Sequence, residues 1–224
     1  MEIKSETIMD GWREGLKQIL NKGSSLPDND GRIFKELINM VVEINNPLKD
    51  PDKPIDILNS FKKWVYPNKK ELKNLIIEKE PAGIYGFTYG PRIFNFENRK
   101  DQIHSWVIPL LKKSLHSRRA VISLFNPLTD LDMSKDSVPS LMNLHFMIRD
   151  KKLNLTLFIR SNEFFIGWPA NIFQLVCLYE YVADKLIDGE KYDESLKKGK
   201  ITTISSSAHI YEENFDYVKE ILSK

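Results

Sequence analysis

The stretch running from Leu141 to the end of residues 171–186 constrains the fold more than any other part of the chain. Two alternating runs, residues 141–149 and 153–160, flank the turn Asp150-Lys151-Lys152, which is the pattern of a hairpin. The helix predicted over residues 171–186 carries Phe173, Leu175, Val176, Cys177, Leu178, Tyr181 and Val182 around most of its circumference. A helix apolar on most sides belongs in the middle of a domain. Strands and helices mixed with hairpins predict an α+β fold and argue against a doubly wound parallel sheet.

The remaining elements follow from period and punctuation. Ile8, Trp12, Leu16, Ile19 and Leu20 recur at helical spacing until Gly23-Ser24-Ser25 and Pro27 stop the run. Residues 37–44 read as a strand ended by Asn45-Asn46-Pro47, and the proline-marked residues 48–54 as a surface loop. Asn68 is placed to cap a helix over residues 69–79, broken by Pro81-Ala82-Gly83, and the aromatic, glycine-bearing residues 85–90 look like a site loop. A helix over residues 101–114, a strand over 119–125, a polar loop around 189–199, a strand over 201–211 and a closing helix over 213–222 complete the chain. No internal repeat or low-complexity tract interrupts it. With 224 residues and 42% hydrophobic content, one domain spanning residues 1–224 can bury about two-thirds of its unfolded surface.

Composition excludes several classes of function. Lys and Arg number 33 against 31 Asp and Glu, a net charge of +2 spread along the chain, so no basic field argues for nucleic acid. The first ten residues carry Glu2, Lys4, Glu6 and Asp10 with no long apolar run, which predicts neither a signal peptide nor a membrane span. The single cysteine, Cys177, allows no internal disulfide and no Cys-based metal cluster, and no metal site is expected. These features place the chain in the cytoplasm. Chemistry concentrates instead at the junction between the second hairpin strand and the core helix. There Arg160, Ser161 and Asn171 offer a charged fork, a hydroxyl and an amide around Gly167 and Pro169, a combination suited to a small anionic ligand with a hydrogen-bonding ring.

This junction resembles the thymidylate synthases and their pyrimidine hydroxymethylase relatives. The resemblance covers most of residues 8–224 and is strongest from Ser117 onward. It implies an α+β mixed sheet flanked by helices that dimerises through the sheet. It further implies that Arg160 and Ser161 hold a nucleotide phosphate and that Asn171 reads the O4/N3 edge of a uracil. Ser117-Arg118-Arg119 is similar to the Ser-Arg-Arg whose guanidinium groups reach the partner subunit's phosphate. His209-Ile210-Tyr211 resembles the His-x-Tyr that bonds the ribose, and strand period puts both rings on one face. Tyr89-Gly90 looks like the family's Tyr-Gly. Glu71 resembles the carboxylate that organises water around the ring, although within Lys69-Lys70-Glu71-Leu72-Lys73 it also reads as a solvated helical charge. Glu163, Gly167 and Trp168 fall where the family meets its one-carbon donor, a methylene-tetrahydrofolate or related tetrahydropterin.

The resemblance departs at the nucleophile. The family adds a Cys thiolate to C6 of the pyrimidine, and in Val138-Pro139-Ser140-Leu141 that position is Ser140. A thiolate forms near neutral pH, whereas a serine hydroxyl needs a strong adjacent base. Cys177 reads as a core thiol, not a substitute. Glu163 stands for the usual Asp, and Trp168-Pro169-Ala170 matches the usual Leu-Pro-Phe loosely. Arg32, in Asp28-Asn29-Asp30-Gly31-Arg32, is shifted about three positions from the family's loop phosphate contact. The chain is also expected to lack the C-terminal tail that covers the folate in longer members, as short archaeal-type members do. Three functions follow as alternatives: a deoxyuridylate-type C5 methyltransferase impaired or trapped by Ser140, a catalytically inactive nucleotide-binding relative, or a pyrimidine nucleotide hydroxymethylase. A dimer with a purely structural role would leave the polar junction unexplained.

Overall fold

The structure, a computed structural model, describes residues 1–64, 67–80, 88–135, 138–187 and 196–223. Along the chain the elements are β1 Glu2–Ser5, α1 Ile8–Lys22, β2 Ser24–Pro27, β3 Ile33–Ile44, α2 Lys53–Ser60, α3 Lys69–Ile77 and α4 Tyr89–Phe94. A π-turn at Ile103–Val107 leads into α5 Ile108–Lys113, β4 Val121–Ser123, α6 Pro127–Asp130, β5 Leu141–Arg149 and β6 Lys152–Glu163. Then come α7 Gly167–Ile187, β7 Lys197–Tyr211, a 3-10 turn at Glu212–Asn214 and α8 Phe215–Ser223. The seven strands form a mixed sheet in the order β1-β3-β7-β6-β5-β4, with β2 paired to β3. The architecture is α+β. The described residues fall into two compact units, and β6, α7 and β7 each run from one into the other.

The first unit comprises Met1–Tyr66, Phe158–Phe173 and Thr202–Lys224. Helix α1 forms where its apolar period predicts, with Trp12, Leu16 and Ile19 fully buried. Two side chains satisfy its first free N–H groups: Thr7 accepts from Asp10 N at 3.2 Å, and Asp50 accepts from Ile8 N at 2.9 Å. Its inner face meets the chain just past β6. The Trp12 indole donates to the Phe164 carbonyl at 3.0 Å, and a Cβ on Gly15 would lie 2.3 Å from the Phe164 ring. Strand β1 runs parallel to β3, with Ile3 opposite Val42, and β2 runs antiparallel to it, with Ser24 opposite Glu36. The strand predicted over residues 37–44 therefore begins four residues earlier, at Ile33. The loop that carries Arg32, residues 28–32, is the β2–β3 turn. It closes through Asp28, whose carboxylate accepts from the backbone of Asp30 and Arg32, and Gly31 supplies the left-handed φ of 80°. The surface loop predicted over residues 48–54 is also corrected. Its last two residues open α2, because Pro54 in a first turn lacks only an N–H that the helix leaves unpaired anyway.

The second unit comprises Pro67–Leu157 and Gln174–Ile201. Asn68 caps α3 as the sequence predicts, in a reciprocal box: Glu71 N donates to Asn68 Oδ1 and Asn68 N to Glu71 Oε2, both at 2.9 Å. The break at Pro81-Ala82-Gly83 and the first half of the predicted site loop, residues 85–87, lie outside the described residues. Of the described part, Thr88 precedes helix α4 and Tyr89-Gly90 opens it. Arg92 of that helix makes a two-pronged pair with buried Asp130 at 2.7 and 2.8 Å and donates to the Leu124 carbonyl. Between β5 and β6, Asp150 and Lys151 both take left-handed φ, 49° and 55°, the geometry of a two-residue hairpin turn. Inside the unit, Tyr179 of α7 donates to the Leu153 carbonyl at 2.7 Å and accepts from Gly199 N at 2.6 Å.

Candidate functional site

The candidate residues divide between the two units, and the first holds the larger share. Along β6 the core alternates strictly from Leu153 to Ile159, then slips by one. Arg160 is exposed, Ser161 is half-buried, and burial resumes at Asn162. The slip leaves two neighbouring residues, Arg160 and Ser161, outside the buried set. Asn162 turns inward instead, its amide donating to Ser205 Oγ at 2.9 Å.

Helix α7 starts at Gly167, one turn earlier than the sequence predicts, and the cause is Glu163. Its carboxylate accepts from the backbone N–H groups of Ile166 at 2.6 Å, Gly167 at 2.9 Å and Phe165 at 3.3 Å. A negative group at a helix start meets the unpaired N–H groups and the positive end of the helix dipole. Burial nevertheless pushes the Glu163 pKa above the ordinary carboxylate value, outweighing the three N–H donors. Asn171 consequently lies inside the helix, half-buried, and not at its first residue.

Two expectations about a cofactor-facing wall meet a different arrangement. The Glu163 carboxylate is occupied by the cap. Trp168 has no exposed surface, and its indole faces Thr203 Oγ1 at 3.4 Å. Both act in holding the start of α7 to the sheet.

On β7 the predicted His-x-Tyr face is present. The rings of His209 and Tyr211 meet edge to face with centroids 5.6 Å apart, and Phe34 of β3 packs against both. His209 is nearly buried; Ser207 Oγ lies 3.2 Å from its Nδ1, and burial holds its pKa below the ordinary histidine value. Arg32 lies over the Tyr211 ring, its Cζ 3.7 Å from the centroid, and pairs with Glu213. This stack had no local signal, because Arg32 and Tyr211 are brought together only by β3 pairing. In this structure the guanidinium is turned to Tyr211 and Glu213.

In the second unit, Ser140 is half-buried just before β5, and Leu141 N donates to the Tyr89 hydroxyl at 3.2 Å. The structure thus brings Tyr89 beside the 140–141 peptide. Among the described residues no imidazole, carboxylate or amine hydrogen-bonds the Ser140 hydroxyl. Glu71 is exposed and holds the start of α3, which matches its plain reading as a helical charge with a local partner. Arg118 and Arg119 are both exposed on the loop before β4. The Cys177 thiol is half-buried, and burial pushes its pKa up to about 11, so it is a poor nucleophile.

Among the described residues no group of three or more His, Cys, Asp or Glu side chains is arranged to hold a metal ion, and no helix is long and apolar enough to cross a membrane. A groove of about 760 Å³ in the first unit, lined by Lys4, Asp10, Arg13, Glu14 and Lys17, contains none of the candidate residues.

The first unit therefore carries a cation, a hydroxyl, an amide and an imidazole–phenol pair on β6, α7 and β7, side chains of the kind that hold a phosphorylated ring. The family model for thymidylate synthase matches residues 31–224, and the chain belongs to the thymidylate synthase family. A protein of Methanococcoides burtonii named "Putative thymidylate synthase" is 36% identical over 220 residues, covering 98% of this chain and 94% of its own length. One of the same name from Methanocaldococcus jannaschii is 31% identical, covering 97% and 94%. The thymidylate synthase of Mycoplasma genitalium is 29% identical over 182 residues, covering 75% of this chain and 59% of its own.

Proposed function

We propose that this chain binds a deoxyuridylate-type nucleotide as a homodimer and belongs, by lineage, to the C5 methyltransferases, with transfer blocked or severely slowed at Ser140. The phosphate rests on Arg160 and Ser161, completed by Arg118 and Arg119 of a second copy. Asn171 reads the ring: its amide donates to O4 and accepts from N3–H, a pattern that favours uracil over cytosine. His209 and Tyr211 take the sugar hydroxyl. The single observation that carries this reading is the local geometry of β6, α7 and β7, which presents Arg160, Ser161 and the paired His209–Tyr211 rings in a chain of this family.

The reaction as the family runs it begins with a nucleophile adding to C6, so that electron density gathers at C5 and the O4 enolate. A reduced folate or related pterin then supplies the one-carbon unit and, for a methyl product, the hydride. The residues that would face this donor fit it poorly here. Glu163 is held by the α7 cap and Trp168 is fully buried, so no residue is assigned to the donor. The first step is the weak one. A Ser140 alkoxide requires a base to take its proton, and the neighbouring Tyr89 hydroxyl accepts a backbone N–H. That observation favours a second reading alongside the first: a nucleotide-binding relative that performs no transfer.

Two measurements separate them. Titration calorimetry with deoxyuridylate and deoxycytidylate tests the site, and failure to bind either would remove it. Release of tritium from C5, followed on this chain and on Ser140→Cys, tests the chemistry. Exchange that appears only with the Cys variant identifies Ser140 as the block; no exchange from either leaves the binding relative.

A further inference from the structure

The loop Ser117-Arg118-Arg119 is held by its backbone while its guanidinium groups stay in solvent. Ser117 is buried and its Oγ accepts the Arg119 N–H at 3.2 Å. The Trp106 indole donates to the Arg119 carbonyl at 3.1 Å, and Val121 N reaches the same oxygen at 2.8 Å. Trp106 sits on the π-turn Ile103–Val107, a local widening that changes the direction in which side chains leave a helix. His145 of β5 stands opposite Val121 of β4, and its ring lies beside the Arg118 backbone. Its Nε2 is buried and has no partner among the described residues. A buried ring nitrogen without a partner weakens a fold, and an indole left more than one-third exposed contributes less than a buried one. Neither residue is placed as core packing alone would place it. What both do is lie against consecutive peptide groups of an arginine pair, Trp106 through a hydrogen bond.

We infer that Trp106 and His145 are positioning residues that hold the backbone of Arg118 and Arg119 so that both guanidinium groups are aimed at the nucleotide phosphate. The inference rests on the proposed role of the arginine pair. Their effect is confined to the phosphate, because they touch neither ring nor sugar. Ordering the peptide in advance spares the loop that ordering when the anion arrives.

The test compares deoxyuridylate with deoxyuridine on the full chain by calorimetry, taking the ratio of their dissociation constants as the phosphate increment. Trp106→Phe keeps the ring and deletes the N–H; His145→Leu removes the polar ring beside Arg118, and His145→Gln retains a polar group at that position. Loss of one hydrogen bond predicts a fall in the increment of about 3- to 10-fold for Trp106→Phe, and loss of the polar ring a fall in the same direction for His145→Leu. His145→Gln should recover much of it, and deoxyuridine binding should not move. Arg118→Ala with Arg119→Ala is the reference. If the arginine variant loses the increment while Trp106→Phe and His145→Leu keep it, the inference is overturned and the nucleotide reading stands. If the arginine variant keeps the increment, the role of the pair fails and the inference falls with it. Equal weakening of both ligands in the Trp and His variants would show a general role in the fold and would also overturn it.

Discussion

Glu163 sets where α7 begins, and removing its carboxylate should be felt both in stability and in the placement of Asn171. The side chain accepts two well-formed bonds, from Ile166 N and Gly167 N, and a longer one from Phe165 N. Loss of a helix-cap acceptor costs about 1 kcal/mol, and a charge-assisted bond at a helix start is at the upper end of that range, so Glu163→Ala should lose about 2–4 kcal/mol. For a chain of this length that is about 5–15 °C in midpoint temperature. Glu163→Gln keeps one acceptor and removes the buried charge, so it should lose less than half as much. The pH dependence distinguishes the two effects. Burial raises the folded pKa of Glu163 above its unfolded value, so between those values the folded state holds more protons than the unfolded state. Stability then falls as pH rises through that window, a loss that the Gln variant lacks. Urea unfolding of the three proteins between pH 4 and pH 8, windows taken about the ordinary carboxylate value, measures both. A Glu163→Ala protein within about 0.5 kcal/mol of the parent across that range would refute the account, since loss of a cap that matters cannot be so small.

Further outcomes follow from the same geometry. Arg160→Ala should weaken deoxyuridylate by about 10- to 100-fold and deoxyuridine little, which calorimetry reads directly. Gly15→Ala places a methyl against the Phe164 ring and should destabilise by about 1–3 kcal/mol in denaturant unfolding. Because burial raises the Cys177 thiol pKa to about 11, thiol-reactive probes should label the native chain far more slowly than the unfolded one near pH 7–8. His209 has its folded pKa lowered by burial, so it contributes stability present above its unfolded pKa that is lost as pH falls through its folded pKa; His209→Gln should flatten that acid-side loss in thermal melts.

Periodic and punctuated segments were legible from residues alone. The α1 stripe, the Asn68 cap, the hairpin turn at Asp150-Lys151 and the apolar character of α7 each depend on interactions within a few residues, and each stands where the pattern places it. What pattern could not supply depends on distant partners. Strand β1 is short and charged, and it exists because β3 offers it a parallel edge. Strand β2 looked like a helix stop because its residues, Ser24, Ser25, Leu26 and Pro27, are all exposed. The extra turn of α7 was hidden by Gly167 and Pro169, which read as loop residues until Glu163 is seen to cap them. The candidate residues were legible through their resemblance in type, and the stacking of Arg32 on Tyr211 was not.

The distribution of candidate groups among the elements bears on how much one substitution can change. Arg160 and Ser161 depend on the slip in β6, Asn171 on the Glu163 cap, and His209 and Tyr211 on their shared face with Phe34. None of these supports includes position 140, whose peptide neighbour is tied to Tyr89. Replacing a thiol by a hydroxyl there changes the availability of an attacking anion by orders of magnitude while leaving these packing and hydrogen-bond supports untouched. On the proposed reading, recognition and bond formation are therefore separable in this chain. An unchanged deoxyuridylate affinity in Ser140→Cys together with new C5 exchange would be the signature of that separation, whereas a large change in affinity would mean that position 140 also shapes the pocket.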